Sequence, residues 1–169
     1  MTVVVRPVHL SELARVGDLT AEAYTTDGFV EPSDDYAEHL RDAVTRAREA
    51  ELYVAVLPED PERPDDPMGT VTFCPEGSPL CELAQPGEGE FRMLAVDPRA
   101  RRRGVADALV GTCVERSREL GYRAVVLSSL PAQTPAHALY RGHGFRRTPE
   151  RDWSPVLGIR LLAFRLDLR

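Results

Sequence analysis

The stretch "VDPRARRRGVADALV", from Val96 to Val110, joins three local signals without a break. It begins where the apolar run "EFRMLAV" ends, and that run predicts a strand from Glu90 to Val96. A basic segment then leads into Gly104. From Val105 onward apolar residues recur at helical spacing until Leu120, which predicts an amphipathic helix. The sequence therefore predicts a strand, a basic glycine-containing turn and a helix in succession.

Such a turn is a candidate anion site. The first amides of a helix have no carbonyl partner within the helix, and the helix dipole adds positive potential there. Gly104 has no Cβ, so a ligand can approach its backbone, and Arg101, Arg102 and Arg103 add charge. A pyrophosphate fits this description, and a solvated basic loop is the alternative. The stretch lacks both the GK[ST] of a Walker A loop and the dinucleotide pattern GxGxxG.

Length and composition favour one soluble globular domain, residues 1–169. The chain has 169 residues, of which 43% are hydrophobic and 28% charged. Apolar runs are far shorter than the roughly 20 residues of a membrane span, so we expect no membrane contact. The N-terminal "MTVVVRPVHL" resembles a first strand rather than a signal peptide.

The cysteine, histidine and charge content narrows the class of protein further. Three cysteines without a CxxC pair and four histidines without ligand spacing predict a reducing, cytoplasmic location and no metal. A net charge of −6 argues against nucleic-acid binding. The basic residues expected to form a local patch, suited to a small anion, are Arg92, Arg99, Arg101, Arg102 and Arg103.

The remaining pattern alternates strands and helices and predicts an α/β layered fold with a mixed sheet. We expect Ser11 to cap a first helix, a second helix to run from Tyr36 to Ala50, and Thr134 to cap a short helix before Gly144. The acidic, proline-rich Pro58–Pro67 is expected to be an exposed, extended hairpin connection. Further strands are predicted at "VVV", "ELYVAVL", "MGTVTFC", "RAVVLSS", "GFRR" and "IRLLAFRLDL".

Two motifs together resemble the GNAT superfamily of acyl-CoA-dependent N-acyltransferases. The turn reads Arg101-x-x-Gly104-x-Ala106, and "ALYRGHGF", Ala138 to Phe145, includes the later family motif at Leu139, Tyr140, Gly144 and Phe145, with Ala136 before it. The resemblance is specific from Glu90 to Phe145. It implies a single GNAT domain with a central mixed, mostly antiparallel sheet of about seven strands flanked by helices.

The resemblance also implies where acetyl-CoA binds. Its pyrophosphate is expected on the amides near Arg102 to Ala106, and its pantetheine is expected to pair like a strand with Leu94 to Val96. Gln133 stands where the family often has asparagine. The cofactor-binding residues implied in this way are Leu94, Ala95, Val96, Arg101, Arg102, Arg103, Gly104, Val105, Ala106, Gln133, His137 and Tyr140.

Two residues are implied to be catalytic. Glu90 matches the position of a general base in some family members, and it would remove a proton from the acceptor amine, directly or through water. A solvent-facing glutamate is the alternative. Tyr140 is the implied acid for the leaving thiolate, with a packed aromatic as its alternative. For His137, three residues before Tyr140, a packing or cofactor-rim role is favoured over that of a base.

The sequence thus predicts an N-acetyltransferase that moves acetyl from acetyl-CoA to a primary amine of a small molecule or peptide, by direct attack in a ternary complex. The alternative is a noncatalytic acyl-CoA sensor or interaction module of the same fold. The acidic balance favours a cationic acceptor, and Tyr24, Phe29, Tyr36 and Trp153 are expected near the acceptor groove or as loop anchors. The sequence does not determine the length of the acyl group. It also leaves open whether the protein is a monomer or a homodimer.

Overall fold

One mixed sheet organises the chain, as seen in a computed structural model that describes residues 2–169. Its spatial order is β1-β2-β3-β4-β5-β7-β6. Neighbouring strands are antiparallel except for β4 and β5, which are parallel. The strands are β1 (Val4–Pro7), β2 (Glu51–Val56), β3 (Gly69–Cys74), β4 (Glu88–Val96), β5 (Ala124–Ser129), β6 (Arg146–Arg147) and β7 (Leu162–Asp167). The predicted mixed, mostly antiparallel sheet of seven strands is confirmed.

Helices cover both faces of this sheet. On one side the apolar face of α4 packs against β3, β4 and the buried aromatic core. On the other, α1 packs against the second half of β4 through Leu19, Ala23 and Ala95. The helices are α1 (Leu13–Thr26), α2 (Asp35–Arg41), α3 (Ala43–Glu49), α4 (Val105–Glu119) and α5 (Thr134–Gly142).

The predicted second helix from Tyr36 to Ala50 is wrong, because the chain breaks at Asp42. Asp42 leaves the helical region with φ −80° and ψ 67°. Its carboxylate accepts hydrogen bonds from the Thr45 amide at 3.1 Å and the Thr45 hydroxyl at 2.7 Å. Because an aspartate that caps the following turn competes with continuous helix, α3 starts anew. The break packs Ala37 and Ala43 into different clusters.

Two predicted helix caps are also wrong. Ser11 lies inside a 3₁₀ turn, Leu10–Glu12, where Glu12 accepts the His9 amide at 2.9 Å, so α1 starts at Leu13. At α5 the capping position is Gln133, and Thr134 is already the first helical residue.

The connection Pro58–Pro67 is the predicted exposed hairpin linker between β2 and β3, but it is not extended. Asp60 accepts the amides of Glu62 at 3.0 Å and Arg63 at 3.1 Å, which closes a turn. Acidic side chains that bond their own backbone favour turns over polyproline geometry. Asp66, at the end of the linker, pairs with Arg15 of α1 at 3.1 Å.

Candidate active site

The predicted anion turn lies between β4 and α4. Asp97 accepts the Arg99 amide at 2.9 Å and starts a short 3₁₀ turn, after which Arg102 and Gly104 both adopt positive φ, 62° and 80°. The first intrahelical bond of α4 runs from the Ala108 amide to the Gly104 carbonyl, so the amides of 105–107 precede it. A Cβ built at Gly104 meets nothing within 4 Å, which leaves the turn open to a ligand.

The arginines predicted to form one patch are divided by their partners. Arg101 makes a two-pronged pair with Asp27 at the end of α1, at 2.9 and 2.8 Å. Arg103 lies 3.7 Å from Asp60 and Arg99 pairs with Asp97. Among residues 2–169, Arg102 is exposed and has no carboxylate within ion-pair distance, so its charge is available to a bound anion.

Arg92 does not belong to that patch. It projects from β4 into a separate cavity, where it pairs with Glu82 at 2.5 Å and donates to the Leu80 carbonyl at 3.1 Å. The prediction of one basic patch is therefore wrong for Arg92, because Arg92 lies within β4 while the other four arginines lie in the turn that follows this strand.

The strands β4 and β5 separate within the sheet. Their parallel pairing covers only Glu88 to Glu90 on β4, and beyond it, within the described chain, residues 91–96 have β3 as their single strand neighbour. Met93 has φ 54°, and the β3–β4 register shifts there. This fork exposes backbone groups around Leu94 to Val96 toward the gap, where an extended ligand can pair with them.

A cavity of about 510 Å³ opens into the fork. Its floor includes Glu90 and Met93 of β4, and Ser129 and Leu130 at the end of β5 form one wall. The other lining residues come from the α1–α2 region, the segment before β4, the strands β4 and β5, the N-cap of α5 and the loop before β7: Tyr24, Phe29, Val30, Asp34, Asp35, Tyr36, His39, Glu82, Arg92, Ser128, Gln133, Pro155, Val156, Ile159 and Leu161.

Glu90 is the third residue of β4, not the first, because the strand starts at Glu88. Its side chain is 1% exposed, so the solvent-facing alternative is wrong. Oε1 accepts hydrogen bonds from the consecutive amides of Glu82, Leu83 and Ala84 at 3.0, 2.8 and 2.9 Å. Burial raises the pKa of the Glu90 carboxyl, and the three amides and Arg92 only partly oppose this rise.

The segment that supplies those amides is itself held by a buried ion cluster. Glu88, fully buried, accepts the Gln85 amide at 2.8 Å and pairs with Arg151 at 3.0 Å and with Arg165. Arg151 also donates to the Leu83 carbonyl at 2.6 Å. The cluster fixes the 82–85 segment against β4, so the position of Glu90 is determined by contacts outside the cavity.

Tyr140 lies beside the cavity, outside its lining. Its ring makes tilted or edge contacts with Phe91, Phe145 and Phe164, with centroids 5.8 to 6.1 Å apart. Burial raises the pKa of the Tyr140 phenol, which therefore keeps its proton at neutral pH.

His137 and Gln133 brace the end of β5. The His137 Nε2 atom lies 3.0 Å from the Ser129 hydroxyl and 3.1 Å from the Leu130 carbonyl, and burial lowers the pKa of this imidazole. The Gln133 Oε1 atom accepts from the Ser129 hydroxyl and the Leu130 amide, both at 2.9 Å. The sequence favoured a packing or cofactor-rim role for His137. These contacts are packing contacts, and the cofactor-rim role stays a prediction.

Of the expected acceptor-side aromatics, Tyr24, Phe29 and Tyr36 line the cavity. Trp153 does not, and its indole donates to the Ser128 hydroxyl at 2.9 Å as a loop anchor. Asp34, Asp35 and Glu82 also line the cavity, although they were not predicted as site residues. The acidic run "SDDY" at a predicted helix start was a usable signal for the first two.

Within residues 2–169, no cluster of three His, Cys, Asp or Glu side chains is arranged to hold a metal ion. Over the same range, no helix has the length and apolarity needed to cross a bilayer.

Comparison with known proteins gives the same family as the motifs. Residues 13–145 match the sequence profile described as "Acetyltransferase (GNAT) family". Human N-acetyltransferase 8 is 44% identical over 74 residues, 42% of this chain and 33% of that protein. N-acetylaspartate synthetase of Danio rerio is 38% identical over 63 residues, 37% of this chain and 22% of that protein. The chain thus spans about a third or less of the length of these curated relatives.

Solved structures show the same fold along the chain. A GNAT-family acetyltransferase from Staphylococcus aureus superposes with a TM-score of 0.73 at 12% identity, covering 99% of this chain and 100% of that one. Arabidopsis thaliana NAA60, solved with a bisubstrate analogue, gives 0.71 at 23% identity and 98% coverage of both. A putative acetyltransferase from Salmonella typhimurium, solved with acetyl-CoA, gives 0.69 at 15% identity, covering 100% and 95%. With its profile match, forked sheet and open glycine turn, the chain belongs to the GNAT acetyltransferase family.

Proposed function

We propose that residues 1–169 form one N-acetyltransferase domain of a cytoplasmic enzyme, which uses acetyl-CoA to acetylate a primary amine by direct attack in a ternary complex. One observation carries the proposal: the buried Glu90 carboxyl, with its raised pKa, lines a cavity that opens into the β4–β5 fork. A base poised toward neutral pH beside an acyl-carrier groove is what amine acetylation requires.

The residues present fit an acyl-CoA. The free amides at 105–107, the open Gly104 and the charge of Arg102 suit a pyrophosphate, and the backbone of Leu94, Ala95 and Val96 suits the pantetheine amides. Around the turn, Val105 and Ala106 contribute amides, and Arg101 and Arg103 support its shape through Asp27 and Asp60. Gln133 and His137 act indirectly by holding the end of β5.

Bound acetyl-CoA supplies the acetyl group as an activated thioester. Glu90 accepts the proton of the attacking amine, which at a pKa of about 10.4 is otherwise mostly protonated. The Leu94 amide donates to the oxygen that gains charge as the N–C bond forms. Tyr140 donates a hydrogen bond to the departing sulfur as the C–S bond breaks. Because a CoA-like thiol has a pKa of about 8.5, below that of the phenol, Tyr140 stabilises the thiolate without giving up its proton entirely.

The lining of the cavity selects the acceptor. Asp34, Asp35 and Glu90 give it negative charge, while Arg92 is neutralised by Glu82. Burial lowers the pKa of His39, which is therefore neutral at pH 7. Five other lining residues, Phe29, Val30, Val156, Ile159 and Leu161, are apolar. We infer an acceptor that carries a cationic amine on an apolar body.

A panel of primary amines with acetyl-CoA, followed by release of free thiol, tests the proposal. We expect turnover with amines on aliphatic or aromatic bodies and little with anionic amino acids. Calorimetry with CoA provides the second measurement. Tight CoA binding without thiol release for any amine in the panel would favour the noncatalytic sensor and contradict the proposal.

A further inference from the structure

The segment between β3 and β4 carries a pair of thiols that acetyl transfer does not use. Cys74, the last residue of β3, is fully buried, and Cys81 is partly exposed. Two successive turns return the chain to the end of β3. In the first, the Ser78 amide donates to the Pro75 carbonyl at 3.0 Å, and in the second the Cys81 amide donates to the Ser78 carbonyl at 3.1 Å.

These turns bring the two cysteines into contact. The Cys81 Sγ lies 3.6 Å from the Cys74 carbonyl oxygen and 3.4 Å from that of Pro75. The interaction between the two thiols raises the pKa of Cys74 and lowers that of Cys81. Arg92 also lowers the pKa of Cys81, whereas burial and Glu90 oppose this effect. A partly exposed thiol with a lowered pKa and a neighbouring thiol is the usual arrangement of a redox-sensitive cysteine.

The same segment determines the environment of Glu90. The residue after Cys81 is Glu82, whose amide is the first of the three donors to the Glu90 Oε1 atom. Because the Cys81 carbonyl and the Glu82 nitrogen share one planar peptide unit, a shift of Cys81 reorients that donor. The donors on Leu83 and Ala84 follow directly in the chain.

We propose that Cys74 and Cys81 form a reversible disulfide that displaces the amide donors from Glu90 and so lowers acetyl transfer. The effect on turnover rests on the proposed function, whereas formation of the disulfide does not. With hydrogen peroxide as oxidant, the Cys81 thiolate attacks one oxygen, breaks the O–O bond and becomes a sulfenic acid. The Cys74 sulfur then attacks the Cys81 sulfur and displaces the hydroxyl group as water. Two thiols thereby lose two electrons and two protons, and peroxide is reduced to two waters.

The expected consequence at Glu90 follows from the groups that face it. Arg92 on β4 and the amides of 82–84 favour the charged form of Glu90, whereas burial disfavours it. Cys74 and Cys81 are titratable neighbours of this carboxylate. Removing amide donors raises the pKa of the carboxyl further, so less of the base is ionised at pH 7.

The test uses the full chain, treated with peroxide and then with a dithiol reductant. Peptide mapping should find a Cys74–Cys81 crosslink that the reductant removes. Hydrogen exchange at the amides of 82–84 should accelerate in the oxidised protein, by about fivefold for each hydrogen bond of ordinary strength that is lost. Thiol release should fall on oxidation, and its acid limb should move to higher pH.

Two variants serve as controls. Cys81→Ser should keep its basal rate and become insensitive to peroxide, and Cys113→Ala, which removes the buried cysteine of α4, should stay sensitive. Oxidation of Cys81 without a crosslink, or a crosslink that leaves the exchange of 82–84 unchanged, would overturn the inference. A crosslink with faster exchange in a protein that acetylates nothing would support the redox element and contradict only the proposed function.

Discussion

Replacing Glu90 by glutamine is the sharpest perturbation of the proposed chemistry. Glutamine keeps an oxygen that accepts hydrogen bonds from the same three amides as Glu90 Oε1, so the contacts that hold the segment 82–84 are retained. The glutamine amide, however, cannot accept a proton. Alanine would leave three buried amides unpaired at about 1 to 3 kcal/mol each, which is enough to confuse loss of folding with loss of catalysis. The glutamine variant therefore isolates the proton transfer.

The expected magnitude follows from the role. A positioned general base contributes about 10² to 10⁴ in rate, so kcat at pH 7 should fall by that factor. The deficit should shrink as pH rises toward about 10.4, where the amine loses its proton unaided. In the wild type the acid limb should lie above the ordinary glutamate value of about 4.3, because burial raises the pKa of Glu90.

The pH dependence of thermal stability tests the raised pKa of Glu90 independently of the kinetics. Because the folded protein holds the Glu90 proton more strongly than the unfolded chain does, stability declines as pH rises from the unfolded pKa through the folded one. Glutamine lacks this decline, so the melting temperature of Glu90→Gln relative to the wild type should increase over that window.

The assay is thiol release with a saturating acceptor from pH 6 to 9, alongside thermal unfolding. Glu82→Gln is the matched control, since it keeps the Glu82 backbone donor and changes only the pair with Arg92. It should alter KM at most. A Glu90→Gln variant that retains wild-type kcat at pH 7, with pre-steady-state data showing that chemistry limits the rate, would refute the assignment of Glu90 as base.

Four further perturbations probe the rest of the site and the fold. Tyr140→Phe should retain CoA affinity and lower kcat by about 10² or more; full kcat would remove Tyr140 from the mechanism. Arg102→Glu should weaken CoA binding and reduce its salt dependence, measured by calorimetry at two ionic strengths, whereas unchanged affinity would place the pyrophosphate elsewhere. Gly104→Val should also abolish binding, but at φ 80° it strains the backbone, so its melting temperature must be measured beside its affinity. Gly17→Ala should lower the melting temperature by the equivalent of about 1 to 3 kcal/mol, because its Cβ would lie 2.1 Å from the Arg41 carbonyl oxygen; an unchanged value would contradict this packing.

Local signals in the sequence were sufficient for most of the sheet and for α4. The helical spacing from Val105 and the stop at Gly121 are properties of contiguous residues, and they predicted the helix to within one residue. The break at Asp42 was missed because the apolar spacing continues across this residue. The break arises because the Asp42 carboxylate bonds Thr45, a local hydrogen-bond pattern that competes with a continuous helix.

The candidate site was predictable only where a motif covers it. The turn at Gly104 and the position of Tyr140 lie in contiguous motifs, so the resemblance located them. The pairing of Arg101 with Asp27 and the contact of Cys81 with Cys74 depend on how distant or looped segments meet, which no periodicity encodes. Burial of Glu90 likewise results from a loop that folds over it.

The fork between β4 and β5 has a further consequence for the protein without its ligand. A strand that ends its pairing in mid-sheet exposes an edge, and Leu94, Ala95 and Val96 are uncharged residues of the kind that recruit another extended chain. Packing of α1 over Ala95 shields one face of that edge but supplies no backbone partner. A bound pantetheine arm would pair with the free backbone groups of this edge. The solubility of the protein, as well as its activity, should therefore depend on the concentration of the acyl carrier.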